Sequence, residues 1–317
     1  MSPNFLLKNG VFNTVYSSSP LRSIHQSKKV NALNAASKGL IFQSSTGLKL
    51  EYFETIRGTK SVIYLPGFLG NKDSKYLACH AFNAMKAGYQ VIRIHPVDHG
   101  ESEHLNSDFF KATDISEIVE LISYILDCQP NTRFSLIGFS LGGNIALRTS
   151  QLIRHNNLKK VMAISPVLDP KQAMDAMDTQ SIIIKQYFLR KWKRSISNKQ
   201  KHYPNLELHA ALKLKSLKDI TEFFRRRNAE FHSLFELFND YAISKKDLTN
   251  LKRQTFLWSA EDDPCIPIDP LSQLEPTKLL DIKITKHGGH CGFIENLFFY
   301  SPLEDWILNT LERNTHQ

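Results

Sequence analysis

The sequence predicts an α/β fold: a mostly parallel central sheet with helices on both faces and an inserted helical cap. Three observations predict it. Short, continuously apolar runs alternate with segments of helical composition from about residue 46 to 169, and such alternation builds a parallel sheet with right-handed crossovers. The alternation stops near Asp169, and no clear strand follows until about Asn250. Strand patterning then resumes in "RQTFLWSA" and "LLDIKITKH". The domain plan is an arm over 1–45, the first part of the core over 46–169, a cap over 170–250 and the second part of the core over 251–317.

Taken in order, residues 1–45 are polar and are expected to form an irregular arm or short meander. "LKLEYFE" (Leu48–Glu54) alternates and reads as an antiparallel strand. "SVIYLP" (Ser61–Pro66) is apolar throughout, as a strand buried on both faces must be. "DSKYLACHAFNAMKAGYQ" reads as a helix closed by Gly88, a residue suited to the left-handed position after a helix. A strand "VIRIH", a helix near Asp114–Cys128, a strand "RFSLIG", a helix from Asn144 and a strand "KKVMAISP" follow. The last helix carries Ser301 as N-cap, Pro302 at its first position and Glu304 to complete a capping box. Leu303, Trp306, Ile307 and Leu311 form its buried stripe.

Composition narrows the class. A hydrophobic fraction of 42% with 10% aromatics suits a globular protein with a full core. No apolar run approaches the ~20 residues of a membrane-spanning helix. Phe5–Leu7 is too short for the apolar part of a signal peptide, so the expected compartment is the cytoplasm. The four cysteines (Cys79, Cys128, Cys265 and Cys291) lack any C-x-x-C spacing, so no zinc site and no disulfide framework is expected.

The chemistry is concentrated in "LIGFSLGGN" (Leu136–Asn144), where Gly138, Gly142 and Gly143 box in Ser140. Glycine serves where a backbone must adopt positive φ or where segments approach too closely for a Cβ. Strand, sharp turn and helix around G-x-S-x-G form the nucleophile elbow of α/β-hydrolases. Alone, the motif would arise by chance in about one chain in ten of this length. The loops after it decide the matter.

A serine hydroxyl needs a base to take its proton and a carboxylate to orient that base. In this fold the chain order is Ser, acid, His. "SAEDDPCIP" offers Asp262 and Asp263, and "KHGGHCGF" offers His287 and His290. Asp263 is favoured by the D-x-x-x-P spacing to Pro267, and His290 because Gly288 and Gly289 let its loop reach back over the elbow. Asp262 and, after the preceding strand, Asp169 remain alternative acids; His287 reads as a surface residue. The oxyanion donors are expected at the N–H of Leu141 and, from "GFLGN", at that of Phe68. His95, Asp98, His99 and His104 have a superficially metal-like spacing but read as structural, and no metal is expected. Cys265 and Cys291 read as buried thiols.

Elbow, "EDDP" and "GGHCGF" together resemble the YheT-like hydrolases, a branch of the AB-hydrolase superfamily. "VFNTVYSSSPLR" (Val11–Arg22) is similar to that family's N-terminal segment, "GFLGNKDSKY" to its oxyanion loop, and "FNDYAISKKDLTNLKRQTFLWSAEDDP" to its cap exit and following strand. The chain departs from the family at Pro66, where histidine is usual, and at Asn13, where glutamine is usual. The resemblance implies an esterase or lipase-like activity with no cofactor, acting on a small-molecule ester or lipid-like substrate through Ser140, Asp263 and His290. The other function class is an inactive hydrolase fold that binds an apolar ligand or acts as a scaffold.

Residues 170–250 hold 16 Lys+Arg against 9 Asp+Glu, a net of +7 within the chain's +9. "IIIKQYFLRKWKR" (Ile182–Arg194) places Ile184, Phe188 and Trp192 on one helical face among cations. Two readings follow: an interfacial helix touching an anionic membrane, or a face packed on the core with solvated cations. No nucleic-acid motif accompanies the charge, so no nucleic-acid partner is expected. Because no triad member lies in the cap, exchanging Arg190, Lys191, Lys193 and Arg194 for glutamine is expected to leave hydrolysis of a small soluble ester nearly unchanged.

Overall fold

Eight strands form one sheet in the order β1-β2-β4-β3-β5-β6-β7-β8 in a computed structural model that describes residues 4–313. The strands are β1 (Lys38–Gln43), β2 (Lys49–Glu54), β3 (Lys60–Leu65), β4 (Gln90–His95), β5 (Arg133–Phe139), β6 (Leu158–Ile164), β7 (Gln254–Ala260) and β8 (Leu280–Thr285). Only β2 runs against its neighbours; the other pairings from β4 to β8 are parallel. The mostly parallel α/β arrangement read from the sequence is therefore the one present. The apolar run of β3 is buried along almost its whole length, which is why it lacks alternation; β4 is equally buried but carries Gln90, Arg93 and His95 inward.

The N-terminal segment differs from expectation. Instead of an irregular arm it forms α1 (Gly10–Ser17) and α2 (Pro20–Ala35) and then β1, an edge strand of the sheet. The cause is chemical. Apart from Leu33, the buried side chains of these two helices are Asn13, Thr14, Ser17, Arg22 and Gln26, so their inward face is mostly polar and shows no hydrophobic period.

α2, α3 (Lys75–Lys86) and the C-terminal helix cover one face of the sheet, sharing a core of Leu33, Leu77, Phe139, Trp258, Leu303 and Ile307. On the other face lie α4 (Ser116–Asp127) and α5 (Leu141–Leu152), with Ile118, Leu121 and Ile145 against β3 and β5. Gly88 follows α3 at φ 85, the left-handed position predicted for it. Between β6 and β7 run α6 (Pro170–Thr179), α7 (Ile182–His202), α8 (His209–Lys213), α9 (Leu217–Asn228), α10 (Leu234–Asp240) and α11 (Lys245–Thr249). After β7 come the one-turn α12 (Asp269–Ser272) and the terminal α13 (Pro302–Glu312). Ser301 precedes α13, but the capping box does not form. Its hydroxyl donates to the Gly292 carbonyl at 3.2 Å, and Glu304 instead accepts from Asn83 at 2.7 Å.

The α7 face that could have lain on a lipid surface is turned inward. Ile184 is 2% exposed and packs in the core, while Phe188 and Trp192 line an internal cavity. Among the described residues, no helix is long and apolar enough to cross a membrane.

The strand order places the site. β3 lies between β4 and β5, so the chain reverses its direction of winding there, and the crevice beyond the carboxyl ends of such strands is where ligands bind in open α/β sheets. Leu65 pairs with Gly138, so the loop leaving β3 meets the turn leaving β5.

Candidate active site

Ser140 stands between β5 and α5 with φ 54 and ψ −121, a conformation that L-residues rarely adopt. Such strain costs about 1–3 kcal/mol and persists only where the surroundings over-determine it. Here they do. A Cβ on Gly138 would sit 2.0 Å from the Gly142 carbonyl oxygen, and one on Gly142 would sit 2.3 Å from that of Pro66. The glycines are thus required by the closeness of strand, helix and β3 loop. The Ser140 N–H donates to Ile164 at 2.8 Å, fixing the turn against β6.

The β3 loop lies beside the serine. Gly67 N–H donates to the Tyr76 hydroxyl at 3.0 Å, and a Cβ on Gly67 would touch Ser140 Cβ at 3.2 Å. Among the described residues neither the Phe68 nor the Leu141 N–H meets a protein acceptor. Both are available to a bound oxyanion at the opening of α5, where the helix dipole also favours negative charge.

Ala260 pairs with Thr285, so the loops after β7 and β8 leave the sheet side by side. His290 Nδ1 lies 2.9 Å from Asp263 Oδ2 and 3.1 Å from Oδ1. The carboxylate is 6% exposed as a residue and also accepts the N–H of Cys265 at 2.8 Å and of Ile266 at 3.0 Å. Acceptance by Asp263 makes Nδ1 the protonated nitrogen and leaves Nε2 free. Burial opposes charging the ring, yet the Asp263 carboxylate outweighs it and holds the His290 imidazole well above the ordinary histidine value. The loop sits over the same strand end as the elbow: Cys291 Sγ lies 3.9 Å from the Ile164 carbonyl that Ser140 N–H also uses. The structure does not join Ser140 to His290 by a hydrogen bond; such contacts are often loose before substrate binds.

The remaining candidates have other partners. Asp262 accepts the Gly289 N–H at 2.9 Å, and its other oxygen lies 3.5 Å from His287 Nδ1, so it braces the histidine loop from below. Asp169 caps α6 through the Gln172 N–H at 2.9 Å. His95 sits between the Lys72 N–H and Glu51, and His99 is buried against the Val97 carbonyl, where burial pushes its ring down to about 3. Among the described residues the group whose atoms gather closely enough for a metal is Asp263, Cys265 and His290. It fits poorly: Nδ1 is already committed to Asp263, and burial pushes the Cys265 thiol up to about 12, away from the thiolate a metal requires.

Ser140, Leu141 and Phe68 border a cavity of about 190 Å³ whose wall continues through Val167, Phe188, Trp192 and Phe224. The insertion therefore roofs the site. Phe68 stacks edge-on against Trp192 with centroids 5.0 Å apart. Lys191 reaches from α7 to the Phe68 carbonyl at 3.2 Å, and burial, with Lys75 nearby, pushes its ammonium down to about 8. Sequence reasoning missed this contact because nothing local marks one lysine among the cations of α7. It also separates Lys191 from its neighbours. Exchange of Arg190, Lys193 and Arg194 for glutamine should leave kcat on a small ester within about 2-fold, since surface charges contribute little. Lys191→Met should lower it about 10-fold by loosening the Phe68 loop. Steady-state kinetics on p-nitrophenyl acetate checks both.

The family model described as alpha/beta hydrolase fold matches residues 60–297. YheT of Escherichia coli K12, whose own esterase name is provisional, is 25% identical over 189 residues, covering 56% of this chain and 55% of that protein. Monoacylglycerol lipase ABHD2 of Mus musculus is 23% identical over 266 residues, covering 77% of this chain and 62% of the lipase. The chain thus spans a little over half the length of these relatives. Among solved structures, the Pyrococcus furiosus esterase Pf2001 superposes with a TM-score of 0.58 at 14% identity, over 89% of this chain and 93% of that one. At such identity the superposition speaks for the fold.

Proposed function

Because the chain belongs to the α/β-hydrolase fold family, we propose that it is a serine hydrolase that cleaves carboxylic esters bearing an apolar acyl group. The observation that carries this reading is the Asp263–His290 pair at 2.9 Å, whose loop lies over the same strand end as a strained elbow serine. In this mechanism Ser140 Oγ attacks the ester carbonyl carbon as its proton passes to His290 Nε2. The negative charge moves to the carbonyl oxygen, which the N–H groups of Leu141 and Phe68 stabilise. Collapse breaks the bond to the alcohol oxygen, which takes the proton from His290 and leaves an acyl group on Ser140. A water then gives a proton to the same nitrogen and attacks the acyl carbon; the bond from that carbon to Ser140 Oγ breaks, Oγ takes the proton back from His290, and the carboxylic acid leaves. Asp263 holds the ring in the orientation and tautomer this relay needs and stabilises the imidazolium.

The name of the ABHD2 relative and the apolar cavity wall both favour a lipid-like ester. Substrates should then be sorted by acyl length. Thr221→Trp, which fills part of the cavity, should lower kcat/KM for p-nitrophenyl decanoate about 10-fold or more and leave the acetate within about 2-fold. Equal losses on both esters would place the acyl group outside the cavity. The reading as a whole is tested by hydrolysis of these two esters by the purified wild type, and inactivity on both would favour a binder or scaffold that kept the fold.

A further inference from the structure

The loop that carries His290 has one backbone bond of its own, from the Phe293 N–H to the Gly288 carbonyl at 2.8 Å. Gly289, Cys291 and Phe293 all have positive φ, at 56, 57 and 50. For Cys291 and Phe293 this is a strained region, and strained backbone needs fixing from outside. Asp262 holds the Gly289 N–H, and α1 holds His290 and Ile294. Thr14 Oγ1 accepts the His290 N–H at 2.8 Å and donates its own proton to the Gly10 carbonyl at 2.7 Å. One turn face away, the Asn13 amide clasps Ile294 from both sides, donating to its carbonyl at 2.9 Å and accepting its N–H at 3.2 Å. The fit leaves no slack. A Cβ on Gly289 would lie 2.5 Å from the Gly10 carbonyl oxygen, and one on Gly292 would lie 2.7 Å from Asn13 Oδ1. Asn13 is 1% exposed and Thr14 9%, so water does not compete for these bonds.

We infer that α1 belongs to the catalytic apparatus, with Thr14 as a positioning residue that sets where the His290 ring stands relative to Asp263 and Ser140. This rests on the ester-hydrolase reading for its kinetic consequence but not for its structural one. Without the Thr14 acceptor, the part-buried His290 N–H is left without its protein partner and the backbone at that residue turns to recover one. The ring moves with the backbone, because its Cβ is fixed to it. A misplacement of about 1 Å at a reacting group costs on the order of 100-fold in rate.

The experiment uses the full chain with Thr14→Val, which keeps the shape and removes the hydroxyl, and Thr14→Ser, which keeps the hydroxyl. Thr14→Ala removes the acceptor without adding bulk and is read the same way should the valine variant not fold. On p-nitrophenyl acetate the valine variant should lose about 10- to 100-fold in kcat with KM within about 2-fold, and the serine variant should recover most of that loss. A second readout needs no turnover. The His290 ring, followed by NMR through its Cε1 carbon, should titrate closer to an ordinary histidine in the valine variant than in the wild type or the serine variant. Wild-type kcat and an unchanged His290 titration in Thr14→Val would overturn the inference. An inactive wild type would instead overturn the ester-hydrolase reading, while the titration would still decide the role of Thr14.

Discussion

Ser140→Ala is expected to lower kcat on any ester substrate by about 10⁴- to 10⁶-fold, leaving the fold intact. The size follows from the nature of the loss. His290 and the oxyanion donors would remain, but no acyl group could be formed on the protein, and only the residual stabilisation by Leu141 and Phe68 would be left. Alanine keeps the Cβ, so the strain at φ 54 stays and thermal stability should hardly move. Glycine removes it. Ser140→Gly should be equally inactive and more stable, by about 1 kcal/mol, because φ > 0 is as accessible to glycine as φ < 0. A calorimetric scan of the three proteins checks that order, and a less stable glycine variant would mean that the elbow is not strained.

The second large effect concerns the acid. Asp263→Asn should lower kcat by about 10⁴-fold, because an amide facing Nδ1 favours the wrong tautomer and cannot stabilise the imidazolium. Asp262→Asn should cost far less, since the Gly289 N–H can still donate to an amide oxygen. The pH profile carries the same claim. Burial alone would depress the His290 ring, and the Asp263 carboxylate holds it well above the ordinary value, so the ring gives up its proton only at higher pH than an ordinary histidine. Activity requires the neutral ring, so kcat/KM should rise with pH and level off only above the ordinary histidine range of about 6.5. In Asp263→Asn that rising limb should move to lower pH. Stability runs the opposite way. A raised folded-state value means that the ion pair stabilises the protein fully below about 6.5, and that this contribution is lost as pH rises through the raised value. A wild-type profile already level at pH 6, or an Asp262→Asn loss larger than that of Asp263→Asn, would move the acid away from Asp263.

The sheet and the elbow are legible in the sequence because their causes are local. β3 is apolar from Val62 to Leu65 since both its faces are covered, and Gly138 and Gly142 stand where Cβ atoms would collide with backbone. Asp263 and His290 could be read as a pair from order and loop position, although which aspartate faces the ring depended on a turn that the sequence does not display. α1 and α2 escaped for a physical reason. Apart from Leu33, their buried side chains are Asn13, Thr14, Ser17, Arg22 and Gln26, so the periodicity that marks a helix is absent where it is usually sought. β1 escaped because it lies at the sheet edge with Ile41 61% exposed. The Ser301 capping box failed because the Gly292 carbonyl, brought close only by the tertiary fold, takes the hydroxyl first. Lys191 illustrates the same limit. Its neighbours on α7 have the same charge, and only the path of the helix over the β3 loop gives this one lysine the Phe68 carbonyl.

The most direct test of the central claim is covalent labelling by a fluorophosphonate, followed by intact mass and peptide mapping. Such a probe reacts with a serine only where a base activates it and an oxyanion hole receives the phosphonyl oxygen. The wild type should gain one adduct, on the peptide containing Ser140, at a rate that falls steeply in His290→Ala, and Ser140→Ala should gain none. An unlabelled wild type, or an adduct that persists in Ser140→Ala, would contradict the account.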